Sequence, residues 1–209
     1  MNSLSLLRLI PVSLLSITLQ ATRVDARSCC QSESGTSAVS SASLYQLPLH
    51  FQDDHGNSVT FSALAGKPVV VAMFFASCPS VCPALVGELK SMQERLPPSV
   101  RSVTRFVLVS FDSEHDQPAV LAAYRASHHL DSNWVLLHGD DHTVRQLAAL
   151  LGVSYQRQPS GMFRHTTIAT VLNAQGDVIA VRPGLGGSLR NLADALAASA
   201  FSTACHPAS

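Results

Sequence analysis

The run "VVVAMFFA", Val69 to Ala76, contains no polar side chain. β-Branched and aromatic residues in an unbroken series, without alternation, mark a strand buried on both faces, the kind found at the centre of an α/β sheet. The chain leaves this strand directly into "SCPSVCP". From Pro83 onward Leu85, Val86, Leu89, Met92 and Leu96 recur at helical spacing, until Pro97-Pro98 stops the pattern. The order is strand, two cysteines, helix.

The flanking sequence extends that order. "LYQLPLHFQDDHGNSVTFSALAGKP" predicts a strand, a turn at Asp54 to Asn57 and a second short strand. Beyond the first helix, "SVTRFVLVSF" and "WVLLHG" read as strands, "QPAVLAAYRASHHL" and "DHTVRQLAALLG" as helices. "TTIATVLNAQGDVIAV" predicts a hairpin turning at Gln175-Gly176-Asp177, followed by a last helix from about Ser188 to Ala200. This α/β alternation, closing with a hairpin and a helix, predicts a thioredoxin-like fold with an N-terminal β-hairpin extension over residues 44–200. A chain of 209 residues accommodates one such domain.

The segments outside it read differently. Residues 1–26 carry Arg8, an uncharged apolar run from Leu9 to Ala21 and small residues at Val24-Asp25-Ala26, the pattern of an export signal. That run is shorter than the roughly 20 residues a bilayer core requires, so cleavage is favoured over the alternative, an uncleaved N-terminal membrane anchor. Arg27 stands against lipidation of Cys29. Serine-rich residues 27–43 predict a flexible tether and residues 201–209 a C-terminal tail. The expected location is exported and periplasmic, soluble or membrane-tethered. A formal net charge of zero excludes the basic footprint of a nucleic-acid binder.

Of five cysteines, Cys29, Cys30 and Cys205 fall in the flanking segments and carry no assignment, while Cys78 and Cys82 lie inside the domain. Pro83 suits a first helical position and disfavours helical geometry just before it, which predicts Cys82 at the cap and "CPSVC" as a loop over the helix N-terminus. The helix dipole and free amides there favour thiolate, so both sulfurs are expected to be reactive. Such a pair closes a disulfide or holds a soft ion, with copper(I) the first-row ion of choice. The third-ligand candidate is His165 in "GMFRHTTIATVL", where an ordinary thioredoxin places a proline; Pro159 is too far back. The plainer alternatives are a structural disulfide and a surface histidine. His128 and His129 read as solvated groups at a helix end, and Met73, Phe74 and Phe75 as core.

The cysteine pattern with both prolines, the later "VSFD" and the histidine before the hairpin resemble, in order, the Sco/SenC family of thioredoxin-fold copper proteins. The resemblance implies that Cys78, Cys82 and His165 bind copper. It places Asp112 at the family's acidic position near the metal, although capping the next helix would equally explain that residue. It further implies a metallochaperone that delivers copper during assembly of the cytochrome c oxidase copper centre. Its partners would be a copper-receiving protein, such as an oxidase subunit, and a thiol reductant. The chain departs from the family in having Ser80 for an aspartate, Asp112-Ser113 for Asp-Pro, and a short loop before His165. The competing function is a thiol-disulfide oxidoreductase with Cys78 and Cys82 as the redox pair. A thiol peroxidase is disfavoured, because Ser77 and Thr104 do not supply its cysteine's usual support.

Overall fold

A computed structural model of the chain describes residues 43–204, with side chains through residue 200. The export signal, nearly all of the tether, Cys29, Cys30 and Cys205 lie outside the described residues. Seven strands, β1 (His50–Asp53), β2 (Ser58–Thr60), β3 (Val69–Phe74), β4 (Arg105–Ser110), β5 (Trp134–His138), β8 (Ile168–Leu172) and β9 (Val178–Pro183), form one sheet in the order β2-β1-β5-β4-β3-β8-β9. Its centre is β3 (Val69–Phe74), parallel to β4 (Arg105–Ser110) on one side and antiparallel to β8 (Ile168–Leu172) on the other. No residue of β3 is more than 1 % exposed, which accounts for the unbroken apolar run. Strand β5 (Trp134–His138) continues the parallel half beside β4, and β9 (Val178–Pro183) pairs antiparallel with β8 at the far edge. This is the thioredoxin-like core.

The N-terminal hairpin, β1 (His50–Asp53) and β2 (Ser58–Thr60), extends the sheet beyond β5. Its turn forms because the Asp53 carboxylate accepts the amides of His55 and Asn57 at 2.9 and 2.8 Å, while Gly56 supplies the left-handed conformation, φ 83°. The helices are α1 (Val81–Arg95), α2 (Pro98–Val103), α3 (Pro118–Ser127), α4 (Asp141–Leu151) and α5 (Arg190–Ala204). Helix α4 is closed at both ends by its sequence: Asp140 accepts the Thr143 amide at 2.7 Å, and Gly152 ends it at φ 70°. The expected elements are present, with two additions. Pro97-Pro98 stops α1 but also starts the short α2. A separate two-stranded sheet, β6 (Tyr155–Arg157) with β7 (Phe163–His165), stands before β8. Among the described residues no helix is long and apolar enough to cross a membrane.

One buried ion pair ties the N-terminal hairpin to the core. Asp54, 4 % exposed, accepts from both Nε and Nη2 of Arg125 of α3, and Nη2 also donates to the Trp134 carbonyl at 3.0 Å. Burial alone would raise the Asp54 pKa, but the Arg125 hydrogen bonds and charge outweigh it and hold the carboxyl below its ordinary value. A depressed carboxylate stabilises the fold above its unfolded pKa of about 3.9, and that contribution is lost as pH falls through the folded value. Asp54→Asn is therefore expected to cost about 2 kcal/mol near neutral pH. The stability gap to the parent should narrow below about pH 4. Denaturant titrations across pH check this; a gap unchanged at low pH contradicts it.

Candidate metal centre

Strand β3 ends at Phe74, and the loop that follows turns back so that the Cys78 amide donates to the Phe75 carbonyl at 3.3 Å. Helix α1 begins at Val81 with Ser80 as its cap residue, so Cys82 is the second helical residue and Pro83 the third. This corrects the expectation of Pro83 at the first position. A proline is tolerated anywhere in the first turn, because none of those amides has an intrahelical partner. The exposed Ser80 side chain makes no capping bond. Instead the Cys82 amide donates to Cys78 Sγ at 3.3 Å, so the sulfur does what a capping oxygen usually does.

Cys82 differs from what the dipole argument suggested. Cys78 is 8 % and Cys82 only 1 % exposed, and the two thiols are free. Burial first, then the hydrogen bond and charge of Cys78 and the charge of Asp116, push the Cys82 thiol well above its ordinary pKa; an opposing hydrogen bond at the Phe75 backbone does not compensate. Desolvation thus outweighs the helix dipole at Cys82, and a metal ion held there would have to displace the thiol proton.

His165 ends β7, half-buried, and its ring donor atom lies within 4.8 Å of both sulfurs, with all three donors within that distance of one another. Among the described residues this is the one such group of three. The ring stands edge-on to Phe75, with centroids 6.0 Å apart, and tilts against Phe111 at 5.0 Å. His165 Nδ1 lies 3.2 Å from the Thr166 carbonyl, which can only accept, an arrangement that suits a proton on Nδ1 and a metal on Nε2.

The hairpin bearing His165 is held by aromatic and ionic contacts. In its register Tyr155 faces His165 and Arg157 faces Phe163. Phe111 stacks on Tyr155 at 5.0 Å and meets Phe163 edge-on at 5.1 Å. The Arg157 guanidinium lies over Phe163 at 4.7 Å and donates to Asp112. Asp112 is 3 % exposed and also accepts from His115 Nδ1 at 2.9 Å and, more loosely, from the His115 amide at 3.4 Å. Asp112 thus braces the hairpin and the turn before α3, and is not one of the three clustered donors.

Sequence reading missed Asp116. It is 1 % exposed and accepts from the Ala76 amide at 2.7 Å and the Ser110 hydroxyl at 2.5 Å, tying the base of the cysteine loop to the end of β4. Burial raises its pKa despite those two bonds. Its only sequence signal was a second aspartate in "DSEHDQP". Tyr124 was missed too: it packs on Phe74 at 4.9 Å, its buried hydroxyl has no hydrogen-bond partner among the described residues, and burial raises its pKa. His128, expected to be solvated, is half-buried against the Tyr124 ring at 4.1 Å, whereas His129 is exposed.

A thioredoxin-like domain with two thiols and an imidazole converging at the end of its central strand has a donor set suited to a soft metal, copper above all. Comparison with known proteins narrows the class. The SCO1/SenC family model matches residues 38–200, and the chain belongs to that family. It is 29 % identical over 93 residues to the SCO1 protein homolog of Bacillus subtilis, a match covering 44 % of this chain and 48 % of that protein. The chain thus spans about half the length of that relative. The copper-bound structure of Bradyrhizobium japonicum ScoI has the same fold, with TM-score 0.61 and 22 % identity over 73 % of this chain and 98 % of that one. So does BsSco, in which a disulfide switch was identified and which is described as a member of the Sco family of cytochrome c oxidase assembly proteins. Its TM-score is 0.63, with 20 % identity over 74 % of this chain and 92 % of that one.

The raised Cys82 pKa has a consequence in the metal-free protein. A thiol whose folded pKa lies above its unfolded value stabilises the fold below the unfolded value, about 8.5, and loses that contribution as pH rises beyond it. The metal-free protein is expected to lose stability above about pH 9, and Cys82→Ser to flatten that loss. Thermal unfolding from neutral to alkaline pH measures it; identical slopes for parent and variant contradict the assignment.

Proposed function

We propose that this chain binds copper(I) through Cys78, Cys82 and His165 in an exported compartment and delivers it during assembly of the copper centre of cytochrome c oxidase. The observation that carries this reading is the convergence of the three donors within 4.8 Å on the fold of a family with copper-bound members. Two thiolates and one imidazole give a soft, low-coordinate set, and the half-buried His165 leaves one side open to an incoming ligand. Transfer then proceeds by ligand exchange: a thiolate or imidazole of the receiving protein enters as His165 or a cysteine leaves. No turnover chemistry is involved. Asp112 serves by holding Arg157, and through it the hairpin that presents His165. A thiol reductant keeps Cys78 and Cys82 open for binding.

Cys78→Ser or Cys82→Ser is expected to lower copper(I) affinity by about two orders of magnitude or more, since one thiolate with one imidazole leaves the ion under-coordinated. Competition against a chromophoric copper(I) chelator measures it. In cells lacking the protein, the parent should restore copper-dependent oxidase activity and neither variant should. Parent-like copper retention by both variants overturns the ligand assignment, and a parent that binds copper but restores no oxidase overturns the target.

One observation favours a second activity. Cys78 and Cys82 are adjacent and free, with Cys78 the more exposed, as an attacking and a resolving thiol would be. In that reading the Cys78 sulfur attacks a target disulfide, forming a mixed disulfide and freeing one target thiolate; Cys82, giving up its proton, then attacks the Cys78 sulfur, which releases the second target thiolate and leaves a Cys78–Cys82 disulfide. His165→Ala separates the two roles. It should weaken copper binding while the Cys78–Cys82 pair still oxidises and reduces. Retained copper with lost reductase activity favours the oxidoreductase instead.

A further inference from the structure

Three stretches of chain surround the three clustered donors, and none contains a carboxylate: Ser77 to Gly87, Gly161 to Thr170, and Pro183 to Ser188. The first two carry the donors. The third joins them because Ile168 pairs with Pro183, and the Gly184 amide donates to the Thr167 carbonyl at 2.8 Å, two residues beyond His165. On this rim Pro79, Ala84 and Leu185 are exposed, and Val81, Pro83 and Met162 are half-buried. Its one arginine or lysine is Arg164. Of the carboxylates around the rim, Asp112 and Asp116 are buried, and Glu114 lies 3.6 Å from Arg157. Both oxygens of Glu88 are engaged, by Arg182 at 2.5 Å and by the Gly186 amide at 2.7 Å. Copper(I) held by two thiolates and a neutral imidazole has a net charge of minus one, which Arg164 offsets. The end of the molecule through which copper passes is therefore apolar and close to neutral.

The third stretch has a specific conformation. Leu185, 37 % exposed, stands between Gly184 at φ 73° and Gly186 at φ 76°. Nothing lies within 4 Å of where a Cβ would be on either glycine, so left-handed backbone rather than close packing demands them. The loop is pinned on both sides of the leucine, by Gly184 to Thr167 and by Gly186 to Glu88, whose carboxylate is held in turn by the buried Arg182. A single exposed leucine is ordinary on a protein surface. This one is held out on a backbone fixed at both sides, among the other apolar residues of the rim and beside a set of metal donors. It is a preorganised contact, which docking buries without first having to order the loop.

We propose that Leu185 and this rim are the docking surface for the copper-receiving protein, which meets them with an apolar, weakly charged face around its own thiol or imidazole ligands. The proposal rests on the delivery reading above and adds the chemistry of the partner. Charge matching selects that chemistry: a strongly acidic or basic face would leave its charges unpaired and desolvated against this rim. Contact here also covers the half-buried His165, excluding water where the ligands exchange. A second copy of the chain would bury the same rim, but it would close off both copper centres and block delivery.

The test measures the second-order rate of copper(I) transfer from the loaded full-length protein to the metal-free, soluble copper domain of the receiving oxidase subunit. Leu185→Ala is expected to slow transfer about tenfold, and Leu185→Met to retain most of the rate. Leu185→Glu and Leu185→Lys should both slow it further. Added salt should change the parent's rate by less than about twofold, since screening acts on charges and not on apolar contact. Copper(I) affinity, and transfer to a small chromophoric chelator, should match the parent in all the variants. No transfer from the parent overturns the delivery reading and the proposal with it. Transfer from the parent that Leu185→Ala and Leu185→Glu leave unchanged overturns the docking surface alone, as do opposite effects of Leu185→Glu and Leu185→Lys or a rate that collapses with salt. A parent dimer that Leu185→Glu dissociates assigns the rim to a second copy and likewise overturns it.

Discussion

The site depends on strand β3 having a parallel neighbour on one side and an antiparallel neighbour on the other. Phe74, the last residue of β3, pairs with Ser110, the last of the parallel β4, so the cysteine loop and the Asp112–Asp116 turn emerge together at one end of the sheet. Ala72 pairs with Ala169 near the start of the antiparallel β8, so the segment entering β8 arrives at that same end. Three chain segments far apart in sequence therefore meet above the C-terminal edge of β3. Because β3 is buried on both faces, a one-residue slip would exchange the side chains packed on its two faces, so the fit of each face to its covering layer holds the register.

On that platform the local chemistry has opposing parts. The α1 N-terminus offers an amide to Cys78, while burial holds a proton on Cys82. Without metal Cys82 is thus a buried thiol packed beside Cys78 rather than a free thiolate. A soft ion bound there would have to displace the Cys82 proton, supplying the charge that burial withholds. Asp116 steadies the cysteine side through Ala76, and Asp112 steadies the histidine side through Arg157. Two aspartates in one short turn thereby brace the two halves of the donor set, and neither has to touch a metal.

Much of this was legible in the sequence because its signals are local. A short apolar run without alternation and rich in β-branched residues marks a central strand, and a proline after each cysteine constrains the backbone there whatever surrounds it. Order along the chain then singled out His165 from nine histidines. What escaped depends on long-range packing. The β6–β7 hairpin is three residues per strand and half-exposed, too short for periodicity to show, and it exists because Phe111, Tyr155 and Phe163 stack. The helix start slipped by two residues because proline marks a first turn, not one position in it. Burial of Cys82 and Asp116 follows from what covers them, which no spacing encodes.

The central claim is that Cys78, Cys82 and His165 together form one copper site. X-ray absorption at the copper edge of the copper(I)-loaded protein tests it most directly, since the scattering distinguishes sulfur from nitrogen and counts each. The account predicts a first shell of two sulfurs and one imidazole nitrogen, with the imidazole signal lost in His165→Ala. A shell of nitrogen and oxygen alone, or an imidazole signal that survives His165→Ala, would contradict it.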